Sequence, residues 1–189
     1  MLNAILMKKC VTARGRVTVK GLTALAVITA AVTLPMLVHL AFGAGGGVVF
    51  LPMYLPVVLG ACLLGTKWGA AVGILSPLTS YLVTSVSGTA MPTAERLPFM
   101  MAALAVFAVV CGLFSDVSVR RWWVAFVTFP VAALIARGSF LLLVFLFSSV
   151  TSLTTAAVFR QILAGWPGLL VMTVAVPSLV LTLGHRIRR

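Results

Sequence analysis

Residues 120–147 read RRWWVAFVTFPVAALIARGSFLLLVFLF. A basic pair, Arg120 and Arg121, and an indole pair, Trp122 and Trp123, head an apolar run that holds no acid and one cation, Arg137. The run matches the ~20 residues that a helix needs to cross a ~30 Å hydrocarbon core. Its apolar residues are continuous rather than alternating, which argues against a barrel strand. A helix also satisfies its own backbone groups in lipid. Indole rings and cations at one end mark a membrane interface.

The rest of the chain repeats this pattern. It is 62% hydrophobic and 8% charged, with a mean hydropathy of +1.21. A soluble domain of 189 residues could not hide that much apolar surface beneath a polar skin. Six spans follow, at roughly 21–41, 49–65, 69–86, 98–114, 122–147 and 166–184. The expected fold is an all-α membrane protein, a six-transmembrane-helix bundle over residues 21–185. A basic segment (1–20) precedes it and a basic tail (186–189) follows it.

The charges set the expected orientation. Lys8, Lys9, Arg14, Arg16 and Lys20 precede the first span, and Lys67 lies between the second and third. Arg120 and Arg121 lie between the fourth and fifth, and Arg186, Arg188 and Arg189 follow the sixth. All of these share one side if both termini are cytoplasmic, leaving Arg96 and Arg160 on the other. The positive-inside rule therefore expects both termini of this multi-pass protein in the cytoplasm. Trp68, Trp122, Trp123 and Trp166 fall at span ends, where indole rings prefer to sit. A cleaved leader ending near Ala41-Phe42-Gly43 is the competing reading of the N-terminal region. It fits less well, because the apolar run is long for a leader and carries Pro35 and His39.

A net charge of +12 raises nucleic acid as a partner. The cations, however, form short clusters beside apolar spans, with no basic face carrying stacking aromatics. Anionic lipid is the better partner for them. Cys62 and Cys111 lie within spans and read as small buried side chains, and Cys10 lies in the basic segment. The inner loops are short. The outer ones are longer: the glycine-rich residues 43–47, residues 87–97, and the Ser/Thr-rich 148–165, expected as a connector. Long loops on one face suit a cover over an outward-opening site, or serve as plain connectors.

No catalytic constellation is present, so an enzyme is not expected. Glu95 and Asp116 are expected on opposite membrane faces and cannot act as a pair. His39 and His185 are similarly separated, so no metal or cofactor site is expected. Gly60-Ala-Cys-Leu-Leu-Gly65-Thr-Lys67 lacks the Gly-Lys-Ser/Thr ending of a P-loop. No intramembrane carboxylate exists for proton coupling.

What remains is a set of polar groups at one depth. Arg137, about halfway along its span, costs ~2.5–3.5 kcal/mol on insertion scales and needs carbonyls, hydroxyls, water or an anionic ligand. Ser76, Ser80 and Thr84 recur every four residues on one face of span three, with Thr79 and the carbonyl-freeing Pro77 beside them. They serve either a pocket or interhelical bonding. His39, Tyr54, Met100 and Met101 reach the same level, and together these side chains form the candidate substrate site. Gly69-Ala-Ala-Val-Gly73 is a GxxxG packing motif. Leu22, Ala26 and Ala30 make a smooth stripe on the cytoplasmic half of span one, for an internal neighbour or a partner.

One series of segments resembles the S components of energy-coupling factor (ECF) transporters. It runs through His39, Leu51-Pro52-Met53-Tyr54-Leu55-Pro56, Leu64-Gly65-Thr66-Lys67-Trp68-Gly69, the stretch 76–84, Pro98-Phe99-Met100-Met101 and Ala136-Arg137. S components are small six-helix proteins that capture a vitamin or related micronutrient. The resemblance implies a small-molecule substrate bound from outside. It also implies a transmembrane T subunit docked on Leu22, Ala26 and Ala30, and two ATPases that supply the energy. One departure stands out: Ala103 occupies a position where such proteins often carry Glu, so span four offers Arg137 no acid. A self-sufficient facilitator or secondary carrier, and a structural membrane protein without substrate, are the alternatives.

Overall fold

The computed structural model describes residues 13–43, 52–86, 88, 92–120, 122–149, 151 and 153–188. Lys8, Lys9, Cys10, residues 44–47, Leu51, Arg121 and Arg189 lie outside the described residues. The elements are α1 (Ala13–Phe42), α2 (Tyr54–Leu64), α3 (Thr66–Val86), α4 (Leu97–Arg120), α5 (Trp122–Leu146), α6 (Thr155–Ala164) and α7 (Trp166–Arg188). The described part of the chain is all-helical.

By length and composition, α1, α3, α4 and α5 can each cross a membrane. α6 and α7 are bent by 50° at a short break and make a further crossing if taken as one. α2 has 11 residues and rises only about 17 Å, less than the ~30 Å core. The outer surfaces carry large apolar side chains. Leu22, Leu25, Leu37 and Leu40 of α1 and Val127, Val131, Leu134, Leu142 and Phe145 of α5 are all exposed. A water-soluble monomer rarely shows so much contiguous apolar surface, whereas lipid accepts it without cost.

The expectation of a connector over 148–165 is corrected here, because Thr155–Ala164 is helical. Arg160 and Gln161 interrupt the apolar pattern of that stretch and hide its period. Val158 and Ile162 lie four apart on one face, and both turn inward. They join Phe99, Phe140, Leu141 and Val144 in a small core beside the ends of α4 and α5. Phe99 meets Phe140 edge-on at 6.3 Å and Phe147 at 6.3 Å, tying the first turn of α4 to the far end of α5. The break that follows α6 is Gly165, and Trp166-Pro167-Gly168 opens the first turn of α7. Pro167 is tolerated because it falls in the first turn of α7, where N–H groups have no helical acceptor.

α2 is apolar all round and correspondingly enclosed. It packs on α1, α3, α4 and α7. Val57, Val58 and Ala61 are fully buried and join Leu104, Ala108 and Cys111 of α4 and Ala132 and Ala136 of α5 in the main core. Cys62 and Cys111 are free and buried. Gly65, at φ +83°, lets the chain reverse between α2 and α3 with one residue outside either helix.

Backbones approach closely wherever glycine removes a side chain. A Cβ on Gly69 would lie 2.6 Å from Ala61 Cα of α2, and one on Gly73 would lie 2.6 Å from the Leu104 carbonyl oxygen of α4. The two glycines of the GxxxG motif thus serve two different neighbours. Gly112 sits almost as tightly, 2.8 Å from Thr66 Cα by the same measure. The pairs Gly73–Leu104 and Thr66–Gly112 set an antiparallel register that brings Met101 about level with Ser76.

Candidate functional site

Arg137 is the centre of the site. It lies 15 residues into α5, about 22 Å along the helix from Trp122 and about 14 Å from Leu146. Its side chain is only 6% exposed. The guanidinium donates to the carbonyl of Gly165 at 3.0 Å and to that of Ile162 at 3.4 Å. Ile162 lies in the last turn of α6, at the negative end of its dipole, and Gly165, the residue between α6 and α7, also accepts from Leu169 N at 3.2 Å. A cation is well placed there. α6 rises about 15 Å, which matches the about 14 Å from Leu146 back to Arg137. The chain therefore runs past Arg137, turns, and returns as α6 to meet it again at the break.

Below the break, α7 runs antiparallel to α5. A cavity lies between them, lined by Arg137, Pro130, Ala133 and Phe129 of α5, by Leu169, Met172, Thr173 and Val176 of α7, and by Tyr54 of α2 and Phe107 of α4. Tyr54 and Phe107 are in ring contact at 4.9 Å. The cavity holds about 20 Å³, the room of a single water molecule. Its walls are almost wholly apolar. The Thr173 hydroxyl is taken by the Leu169 carbonyl at 2.8 Å. The guanidinium has five N–H donors and gives two hydrogen bonds, to Ile162 and Gly165, so donors remain for a guest.

Tyr54 and Arg137 are thus the two candidate site residues that share this cavity. The others lie elsewhere. Ser76, Ser80 and Thr84 are buried along one face of α3. The Ser76 hydroxyl donates to Val72 O at 2.7 Å and that of Thr84 to Ser80 O at 2.7 Å. Thr79, partly exposed, donates to Leu75 O at 2.8 Å. Backbone acceptors within α3 itself satisfy these hydroxyls. Met100 packs against the main core, Met101 is half-buried in the same turn, and His39 is half-buried in the last turn of α1. On α1, Leu22 and Ala26 face outward, Ala30 is half-buried, and Ala24 and Ala31 turn into the bundle. Among the described residues, no three His, Cys, Asp or Glu side chains come together to hold a metal ion.

The sequence reading did not include the carbonyl cluster at the α6–α7 break. The Gly-Trp-Pro-Gly run marks the break, but nothing local shows that it returns to the depth of Arg137. The α7 lining residues Leu169, Met172, Thr173 and Val176 carried a signal in their spacing, since they recur at helical intervals on one face. Comparison with known protein families, with curated proteins and with solved structures gives no match.

Proposed function

We propose that this chain is the substrate-capture subunit of an ECF-type importer in a prokaryotic cell membrane. It takes up a vitamin or related micronutrient from outside and delivers it inward when coupled to a T subunit and two ATPases. On this reading α2 and the bent pair α6–α7 complete six crossings, both termini are cytoplasmic, and the protein catalyses no reaction of its own. The observation that carries it is the buried Arg137 with unused donors over an apolar cavity, in spans that hold no acid. A buried cation in a membrane bundle is retained at a cost, and a site for a small molecule gives it a use. The outward-facing Leu22 and Ala26 support docking on a partner helix, where small side chains allow close backbone approach.

The test is purification of the chain alone and with candidate T and ATPase subunits, followed by mass spectrometry of co-purified small molecules and uptake into proteoliposomes. The reading expects a bound small molecule on the isolated chain and uptake only when the partners and ATP are present. A second reading draws on the broken helix. Secondary carriers build mid-membrane sites from discontinuous helices, and the α6–α7 break meets Arg137 partway along α5. Uptake by the isolated chain without ATP selects that reading and rejects the first.

A further inference from the structure

We infer that Arg137 is a latch, and that the ligand which opens it is an organic monocarboxylate with an apolar or aromatic body. The inference rests on the capture reading, because it takes the α6 end of the cavity as the side from which substrate arrives.

Arg137 and Leu169 stand at one end, with Phe129 and Val176 about two turns further along α5 and α7. Gly165 and Ile162 accept from Arg137 on the α6 side. The guanidinium therefore both roofs the cavity and holds down the end of α6. At about 20 Å³ the space admits no organic molecule, so any ligand must enter as something moves. α6 is the element best able to move. It packs on α5 and α7 and buries chiefly Val158 and Ile162, whereas α2, α4 and α5 share the main core.

Charge then selects the ligand. The guanidinium has carbonyl dipoles for partners and no acid within any span. A carboxylate forms shorter and stronger bonds to a guanidinium than a carbonyl does, and it presents two oxygens to the planar fork. It would also cancel a buried charge that α6 only partly offsets. One cation calls for one negative charge, and the residues lining the cavity include no second cation for a dicarboxylate. Phe107, Phe129, Leu169 and Met172 leave an apolar, partly aromatic surface for the remainder of the molecule. In exchanging the α6 carbonyls for the carboxylate, Arg137 releases α6 and so couples occupancy to the conformation of one face of the bundle.

The experiment uses the full chain in lipid nanodiscs, with benzoate as the anionic probe and benzamide as its neutral isostere. Hydrogen–deuterium exchange over residues 155–166 reads the latch. Benzoate is expected to speed exchange of that segment several-fold in the wild type, and benzamide to leave it unchanged. Arg137→Gln keeps an amide donor but lacks the charge, and should exchange about tenfold faster than the wild type with either probe or none. Arg137→Lys keeps the charge without the fork and should fall between. Thermal melting and gel filtration identify the variants that remain folded, and the comparison of benzoate with benzamide in the wild type needs no variant. Equal effects of the two probes, including no effect of either, overturn the inference. So does wild-type protection of 155–166 in folded Arg137→Gln. A neutral co-purified substrate, with that segment still protected, would remove this inference and leave the capture reading standing. Absence of any bound molecule on the isolated chain counts against the capture reading itself.

Discussion

Replacing Gly73 with Ala tests the helix packing on which the site depends. The new Cβ would lie 2.6 Å from the Leu104 carbonyl oxygen, 2.9 Å from its carbon and 3.2 Å from Ala105 N. All three are backbone atoms, so no side-chain rotation relieves the contact. Ordinary contact begins at 3.4 Å, so α3 and α4 must separate by about 0.8 Å there. A gap of that size forfeits about a quarter to a half of the dispersion energy of each atom pair along the seam. Against this stands the better helix propensity of Ala, about 1 kcal/mol. Overpacking typically costs about 1–3 kcal/mol. With backbone on both sides the upper half of that range applies, for a net loss of about 1–2 kcal/mol. Gly138 is the control. It also lies inside a helix, yet a Cβ there meets nothing within 4 Å, so Gly138→Ala should be neutral or stabilising by up to about 1 kcal/mol. Reversible unfolding in mixed micelles, monitored by circular dichroism, gives both values. The packing argument is refuted if Gly73→Ala is as stable as Gly138→Ala.

Ala26→Trp should leave the melting temperature of the isolated chain near the wild-type value, because Ala26 is exposed, and should block assembly with a T subunit. Ala31→Trp should destabilise the chain by several kcal/mol, because Ala31 is fully buried, and paired melting curves check both. Cys62 and Cys111 should resist maleimide in the folded protein and react after denaturation, since both are buried, with mass spectrometry of the labelled peptides as the readout. Cysteines placed at Gly88 and at the C-terminal end should label from opposite sides of intact cells. Labelling of both from outside contradicts cytoplasmic termini.

The parts of this fold that could be read in the sequence are those whose cause is local. Crossing helices follow from continuous apolar runs, and α1, α3, α4 and α5 appear where those runs lie. The close helix contacts were partly legible, since Gly69 and Gly73 announce a packing face but not that one meets α2 and the other α4. α6 was not legible, because Val158 and Ile162 carry its inward face almost alone. The site divides in the same way. Arg137 is conspicuous as an isolated cation, whereas its partners, Ile162 O and Gly165 O, are backbone atoms that any residue supplies. The stripe of Ser76, Ser80 and Thr84 looked equally purposeful, yet the Ser76 and Thr84 hydroxyls donate within their own helix. Periodicity can place hydroxyls on one face but cannot say what they bond. For Arg137 the missing information is three-dimensional: which helix end returns to its depth. That return satisfies a buried cation with dipoles rather than a countercharge. It lets the guanidinium stay charged in the bundle without a fixed acid, and so leaves it open to exchange for a mobile anion.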